Sequence, residues 1–446
     1  MLRKISAFIK IPLLFALTFS SIHAFGSFTE TNMVNDLIGD RATGMGGAYA
    51  AVSDDPSGAF YNPAGLAFAV DNQISLSVNT YRATSITFEG VILGNDYSQQ
   101  ISSFYPSFFG VVQSVGDLKF AIVVAQGNSE NLEQTEYYNF VVNSDNNVNQ
   151  FQLNKDIKDS TSHFGAAFSG FLTSNISWGI YGGYFTRKKK DIQRQFLILE
   201  NSGTNAQVVE HQNSYFTDEY SGITGRIGFQ YMPITLMAFG ASFSYHYLLS
   251  HYRIQNSYTN AVDTTSYDMP TTYSGNTCTT AGQTDCFTNN PKAEGFISSS
   301  EIPMNARFGV AIFPNSEWLI TADVVADFGT KLNYLTTFQT TINGSIGAEY
   351  YATPITPIRF GVFTNFASTP RLPSTVTADG ALYANNIDLY GGSLSFSLQT
   401  RNSSVTLAGF VQSTVLGKGN AELIDGKKSS VEVLSYTLSL TGSARY

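Results

Sequence analysis

From about residue 72 onward, apolar side chains recur at every second position through a long series of short segments. That period is the strand period, in which alternate residues point to opposite faces. Fourteen such segments are expected, the first seven near Gln73–Phe88, Phe104–Val115, Leu118–Gly127, Ser162–Leu172, Ile176–Lys188, Asp218–Tyr231 and Leu236–Ser250. The other seven are Glu301–Phe313, Trp318–Phe328, Phe338–Tyr350, Ile358–Asn365, Ile387–Leu398, Val405–Gln412 and Val433–Tyr446. In the seventh, Met237, Phe239, Ala241, Phe243, Tyr245, Tyr247 and Leu249 share one face, against Ala238, Gly240, Ser242, Ser244 and His246 on the other. In the last, Leu434, Tyr436, Leu438 and Leu440 alternate with Ser435, Thr437, Ser439 and Thr441. A soluble β-sandwich shows the same alternation, so the pattern by itself leaves two architectures open.

The connections separate them. Every second one is short: Gly116-Asp117, Thr173 to Asn175, Met232-Pro233, Pro314 to Ser316, Pro354 to Pro357 and Thr400 to Ser403. Those between are mostly longer, at 89–103, 128–161, 189–217, 251–300, 329–337, 366–386 and 413–432. Short turns alternating with long loops belong to a closed antiparallel transmembrane barrel, with tight periplasmic turns and long external loops. An even strand number places both termini on the periplasmic side.

Composition agrees. The chain is 14% aromatic and only 13% charged, with 38 glycines and 25 tyrosines, where soluble domains carry about 25% charged residues. No segment after the first residues is apolar long enough for a membrane helix. A membrane protein without helical spans must satisfy its backbone from strand to strand. The net charge of −9 excludes nucleic acid as a natural partner.

The N-terminus reads as a secretory leader: Arg3, Lys4 and Lys10 are followed by an apolar core from Ile11 to Ile22 and a small-residue cleavage site ending at Ala24. The domain reading is therefore a leader over 1–24, a plug over 25–71 and a barrel over 72–446. The plug contains Gly39 to Leu66, GDRATGMGGAYAAVSDDPSGAFYNPAGL, too glycine-rich for an ordinary helix and too short for a domain. It closes on Asn62-Pro63-Ala64-Gly65, where the proline pushes Asn62 out of the helical region.

With these residues in view, the chain resembles the FadL-type outer-membrane transporters of long-chain fatty acids and other hydrophobic compounds. In that family an N-terminal hatch with an Asn-Pro-Ala motif closes a monomeric fourteen-stranded barrel. Tyr105-Pro106, Glu301-Ile302-Pro303, Arg307 and the spaced prolines of Phe366 to Pro373 also resemble family features. The resemblance implies a hatch fixed by Asn62, Pro63 and Ala64, and a lateral exit through the wall where the third strand kinks at Gly127. It implies a ligand pocket reached by the mature N-terminus, Phe25. It implies no catalysis and no cofactor. The chain would lie in the outer membrane of a diderm bacterium, with membrane lipid, lipopolysaccharide and the barrel assembly machinery as partners; the C-terminal aromatic Tyr446 resembles the assembly signal. Docking or shuttling for protein secretion on the same fold is the alternative function, and Gly127 is alternatively the first residue of an external loop.

For a fatty acid, an inward cation should meet the carboxylate. Alternation points Arg226, Arg307 and Arg359 into the lumen. Reflection of the eighth and ninth strands about Asn315 places Arg307 opposite Asp323, which makes a wall ion pair the competing role. Arg187-Lys188-Lys189-Lys190 is either a contact for lipopolysaccharide phosphates or a solvated loop base. Cys278 and Cys286 read as a disulfide in an external loop. His246 and His251 face opposite ways by parity, with no third ligand for a metal, and Gly44, Gly46 and Gly47 lack the lysine of a phosphate loop.

Overall fold

The structure is a computed structural model, described at residue 32 and over 37–446 apart from 71, 93–94, 144–145, 202–205, 264–284, 290–292, 295–301, 332–336, 370–385, 415–418 and 423–427. It is a closed antiparallel barrel of fourteen strands. In chain order these are β1 Gln73–Ile92, β2 in two pieces (Asn95–Tyr105 and Phe108–Val115), β3 Leu118–Asn143, β4 Asn146–Thr173, β5 Ile176–Asn201, β6 Ala206–Ile234 and β7 Met237–Asp263. They continue as β8 Asn305–Ile312, β9 Trp318–Asp327, β10 Thr341–Thr353, β11 Thr356–Asn365, β12 Leu389–Gln399, β13 Ser403–Ser413 and β14 Lys428–Arg445. Each strand pairs with its neighbour in sequence, and β14 returns to β1 through a ladder from Gln73↔Arg445 to Phe88↔Val431. Closure leaves no wall strand as an edge except the outer piece of β2, Asn95–Tyr105, which pairs with β1 alone among the described residues.

The two faces follow the alternation. Phe308 is 54% exposed and Leu438 52%, whereas Ser244 is 0% and Thr437 4% exposed. Aliphatic and aromatic side chains clothe the outside, and small or polar ones line the inside, as a lipid-facing wall requires.

The strand boundaries correct the sequence reading in three places. The expected long loops at 128–161 and 189–217 are instead continuous ladders: β3 pairs with β4 from Leu118↔Gly170 out to Asn143↔Asn146, and β5 with β6 from Ile176↔Tyr231 to Asn201↔Ala206. In these outer halves the outward face turns polar, and Leu132, Phe151, Leu153, Ile157 and Leu197 are buried instead, so the lipid-facing apolar pattern ends while the backbone pairing persists. β2 likewise begins at Asn95 rather than Phe104, and the turn before β7 sits at Thr235-Leu236 rather than Met232-Pro233. β8 pairs with β9 about Ser316, one residue further on than Asn315, so Asp323 lies opposite Gly309 and diagonal to Arg307.

β-Bulges supply the third correction. β7 gains one residue against β6 between Leu248 and Ser250, which turns His251 inward beside His246 instead of away from it. β3 gains one against β4 at Gly127, between Gln126↔Ser162 and Asn128↔Thr161. At the same level β2 is interrupted by Pro106-Ser107 and β1 shifts register between Ser77 and Asn79.

Residues 37–70 pack against inward-facing wall residues at the short-turn end. A single helical turn at Asp40–Gly44 and two short 3-10 turns, Pro56–Phe60 and Pro63–Phe68, carry the segment. Asp55 and Asn62 cap the latter two, each accepting a backbone N–H two residues on. Met45, Tyr49, Ala51, Ala59 and Leu66 are buried against the wall.

Candidate functional site

The inner segment is seated on glycines. A Cβ on Gly179 would run into Pro63, on Gly228 into Asn62, on Gly240 into Ala50, and on Gly347 and Gly361 into Met45. Five strands thereby bring bare backbone against the segment, a close approach only glycine permits. Around these contacts lie hydrogen bonds. Asn62 donates through Nδ2 to Ala50 O (2.8 Å) and Phe229 O (3.0 Å), while its Oδ1 accepts from Ala64 N (3.2 Å). Ser177 Oγ and Ser169 Oγ donate to Ala64 O at 2.9 and 3.2 Å. Pro63 opens the second 3-10 turn, where its missing N–H is no loss.

Charges complete the seat. Asp323 Oδ2 accepts from the backbone N–H of Tyr49 (3.0 Å) and Ala50 (2.9 Å) and from Arg307 Nη1 (3.2 Å). Arg307 Nη1 also donates to Gly47 O, and Arg226 Nη1 to Ala59 O at 2.9 Å. Glu349 is shared by Arg41 from the segment, through two bonds of 3.0 Å, and by Arg359 from β11, which also reaches Ser397 Oγ. Arg226, Arg307 and Arg359 therefore all point inward, and all three are engaged by the inner segment or the wall. The carboxylates Asp323 and Glu349 pair with Arg307, Arg41 and Arg359 in the lumen.

Beyond the inner segment, toward the long hairpins, the lumen holds a column of aromatic rings. Phe60 meets Phe108, His163 and Tyr181 with ring centroids 6.4, 6.2 and 5.6 Å apart. Phe185 continues the column to His163, His246 and Tyr220, and Tyr220 to His251. His246 Nδ1 shares a hydrogen bond with Thr224 Oγ1, and His251 Nε2 pairs with Asp218. Higher still, Arg187 grips Asp159 and Lys155 lies 3.8 Å from Asp191.

The backbone ladder of the wall is interrupted beside this column. The ladder between β2 and β3 ends where Gln126 N donates to Ser107 O (2.9 Å). Pro106 has no N–H to carry it further. Beyond that point Asn95–Tyr105 stays paired with β1 but has no backbone ladder to β3 among the described residues. Side chains span the interval instead: Gln134 Oε1 accepts from Gln100 N (3.3 Å) and its Nε2 donates to Ser98 O, while Tyr138 Oη donates to Asp96 O. Gly127 sits at the lower corner of the interval, and a Cβ there would lie 3.3 Å from His163 Nε2. A cavity of about 20 Å³ lies just inside, between Leu37, Ile38, Thr80, Ser107, Gln126 and Thr437. That is room for about one water.

The structure thus brings together Asn62, Pro63, Ala64, Arg226 and Arg307 at one seat, with Arg359 joined to it through Glu349 and Gly127 at the adjoining opening. Phe25 and Cys278 lie outside the described residues, as does the leader, so the proposed pocket contact and disulfide with Cys286 are not described. Sequence reasoning paired Asp323 with Arg307, as the structure does, but did not place it against Tyr49 and Ala50, and it did not single out the seat glycines or the His163–Phe185–His246 column. A signal for the glycines exists: Gly228 and Gly240 occupy inward positions of strands that otherwise alternate cleanly.

No protein-family model and no curated protein matches this chain. Solved structures do. A Pseudomonas aeruginosa FadL homologue superposes with a TM-score of 0.59 at 14% identity, covering 93% of this chain and 99% of that one. The Pseudomonas putida toluene transporter TodX gives 0.59 at 13% identity, covering 92% and 99%. The Ralstonia pickettii toluene transporter TbuX gives 0.54 at 14% identity over 92% and 99%. At these identities the likeness is one of fold, and it extends over nearly the whole of each chain.

Proposed function

We propose that this chain carries hydrophobic small molecules across the bacterial outer membrane. Residues 25–71 act as a hatch closing the short-turn end. Cargo enters among the long hairpins, descends the aromatic column and leaves sideways between β2 and β3 beside Gly127. The observation that carries this reading is the end of the β2–β3 ladder at Ser107–Gln126, directly alongside Phe60, Phe108 and His163. A wall opening serves cargo that prefers lipid to water and has no use for an aqueous pore. The fold shared with a FadL homologue and two toluene transporters supports the same class of cargo. Arg226, Arg307 and Arg359 hold the hatch and wall in this reading, so cargo is recognised by apolar and aromatic surface. No chemistry is assigned.

The test is removal of the bulge. Deleting Gly127 leaves Gln126↔Ser162 and Asn128↔Thr161 in continuous register and straightens β3 against the opening. Uptake of a labelled long-chain fatty acid and of toluene is measured in cells expressing either form, with heat-dependent gel mobility checking that the barrel has folded. Loss of uptake by the folded deletion supports lateral exit. Wild-type uptake by the deletion removes it, and absence of uptake by the wild-type chain removes the transport reading.

A further inference from the structure

The run Arg187 to Lys190 is divided by strand parity into two different surfaces. Arg187 and Lys189 point into the lumen, where Arg187 pairs with Asp159 and Lys189 lies 5.6 Å from the Phe216 ring centroid. Lys188 and Lys190 are exposed on the outside of β5, and Lys158 of β4 is exposed beside them. Lys158 and Lys190 are direct cross-strand partners. Two like charges in that position repel, and no ion pair to Lys158, Lys188 or Lys190 is present among the described residues. The nearest carboxylates are Glu219, directly across from Lys188, and Glu133 and Asp156, which face each other one layer further out. The three lysines stand around an open depression of about 580 Å³, with Asn131, Ser160, Thr217 and the Glu219 carboxylate also on its rim.

Height on the wall identifies what faces this depression. On the same outer surface Phe164, Tyr184 and Ile223 are 48%, 42% and 47% exposed and mark the top of the apolar band. From Tyr184 to Lys188 the strand climbs roughly 13 Å along its axis, less when tilted as barrel strands are. The lysines therefore stand at the level of lipid headgroups, facing the bilayer and turned away from the lumen. Around the depression itself three outward lysines face one outward carboxylate, Glu219, and this local excess of two positive charges, on a chain whose formal charge is −9, matches a multiply phosphorylated lipid.

We propose that Lys158, Lys188 and Lys190 form a binding site for the phosphates of lipid A in the outer leaflet. The lipid phosphate lies between Lys158 and Lys190 and removes their repulsion, while the acyl chains run down over Tyr184 and Phe164. The proposal rests on the outer-membrane reading for its orientation but is independent of transport.

The test uses the folded full-length chain in mild detergent, titrated with bis-phosphorylated lipid A, dephosphorylated lipid A and inorganic phosphate. Wild type and K158Q/K188Q/K190Q are compared, with Lys119→Gln at the opposite end of the wall as control and heat-dependent gel mobility as the fold check. The expected result is a loss of about 100-fold in lipid A affinity in the triple variant. Lys119→Gln should bind as wild type, and dephosphorylated lipid A weakly to every form. Equal lipid A affinity in wild type and triple variant overturns the proposal. So does competition by inorganic phosphate at lipid A concentrations, which indicates a general anion patch. Cell fractionation is scored separately: a chain that binds lipid A in detergent yet is absent from the outer membrane fails on location alone.

Discussion

Gly228 of β6 and Asn62 of the inner segment occupy one site between them: the Asn62 amide fills the space where any side chain at 228 would begin. The asparagine bridges the segment to itself through Ala50 O and to the wall through Phe229 O. Both Asn62→Ala and Gly228→Ala should loosen the seat, by lost hydrogen bonds in one case and by collision in the other. Hydrogen bonds of this kind contribute about 0.5–1.5 kcal/mol each, and more when a buried partner is left unpaired. The expected outcome is a folded barrel whose residues 37–70 become cleavable by added protease under conditions where the wild type resists.

Asp323 should matter more than any single arginine. It accepts two backbone N–H groups and the Arg307 guanidinium in a buried position. Asp323→Ala strands the buried N–H groups of Tyr49 and Ala50 and leaves the half-buried Arg307 with only Gly47 O and the Tyr61 ring, a loss of about 1–3 kcal/mol for each buried group left unsatisfied. Replacing Arg307 and Asp323 together by apolar residues should be less damaging than the sum of the single changes. Single-channel conductance in planar bilayers reads the difference: frequent open events in Asp323→Ala, fewer in the double variant.

The seat should also respond to pH through Asp55. Burial, with the charges of Asp40 and Asp54 adding to it, pushes the Asp55 carboxyl up to about 6, against hydrogen bonds from Ser57. A carboxyl released from the segment titrates near 3.9. Because the docked value is the higher one, docking takes up a proton between these values. Its contribution is fully present below about pH 4 and lost as pH rises through about 6. Protease protection of residues 37–70 should accordingly be stronger at pH 5 than at pH 8. Asp55→Asn keeps the turn cap and should flatten that dependence.

Phe60 stands between the aromatic column and the opening in the wall, touching Phe108 on one side and His163 and Tyr181 on the other. Phe60→Ala should widen the route and raise the rate of toluene uptake, while Phe60→Trp should lower it. Both are read in the uptake assay described for the Gly127 deletion. A second handle is Gln134, whose side chain replaces the missing ladder. Gln134→Ala should raise uptake without affecting protease protection of the inner segment.

Period-two alternation is a property of local sequence, so the apolar face of β7, the serines and threonines of β14 and the strand number were all legible from the chain. The short turns were nearly so. What the lipid-facing pattern does not encode is where backbone pairing continues above the membrane with a polar outer face, and the outer halves of β3 to β7 therefore read as loops. Nor does it encode bulges. One inserted residue reverses every later side chain on a strand, which is why His251 points inward. Asn62-Pro63-Ala64 and Gly127 stood out in the sequence because proline and glycine restrict or free the backbone locally. The Arg307–Asp323 pair was legible across one short turn, but the bonds of Asp323 to Tyr49 and Ala50 and the fit of Gly228 against Asn62 were not, because those partners lie more than 150 residues away along the chain. Local chemistry determined the strands and their two faces; only closure of the barrel decided which residues meet across its lumen.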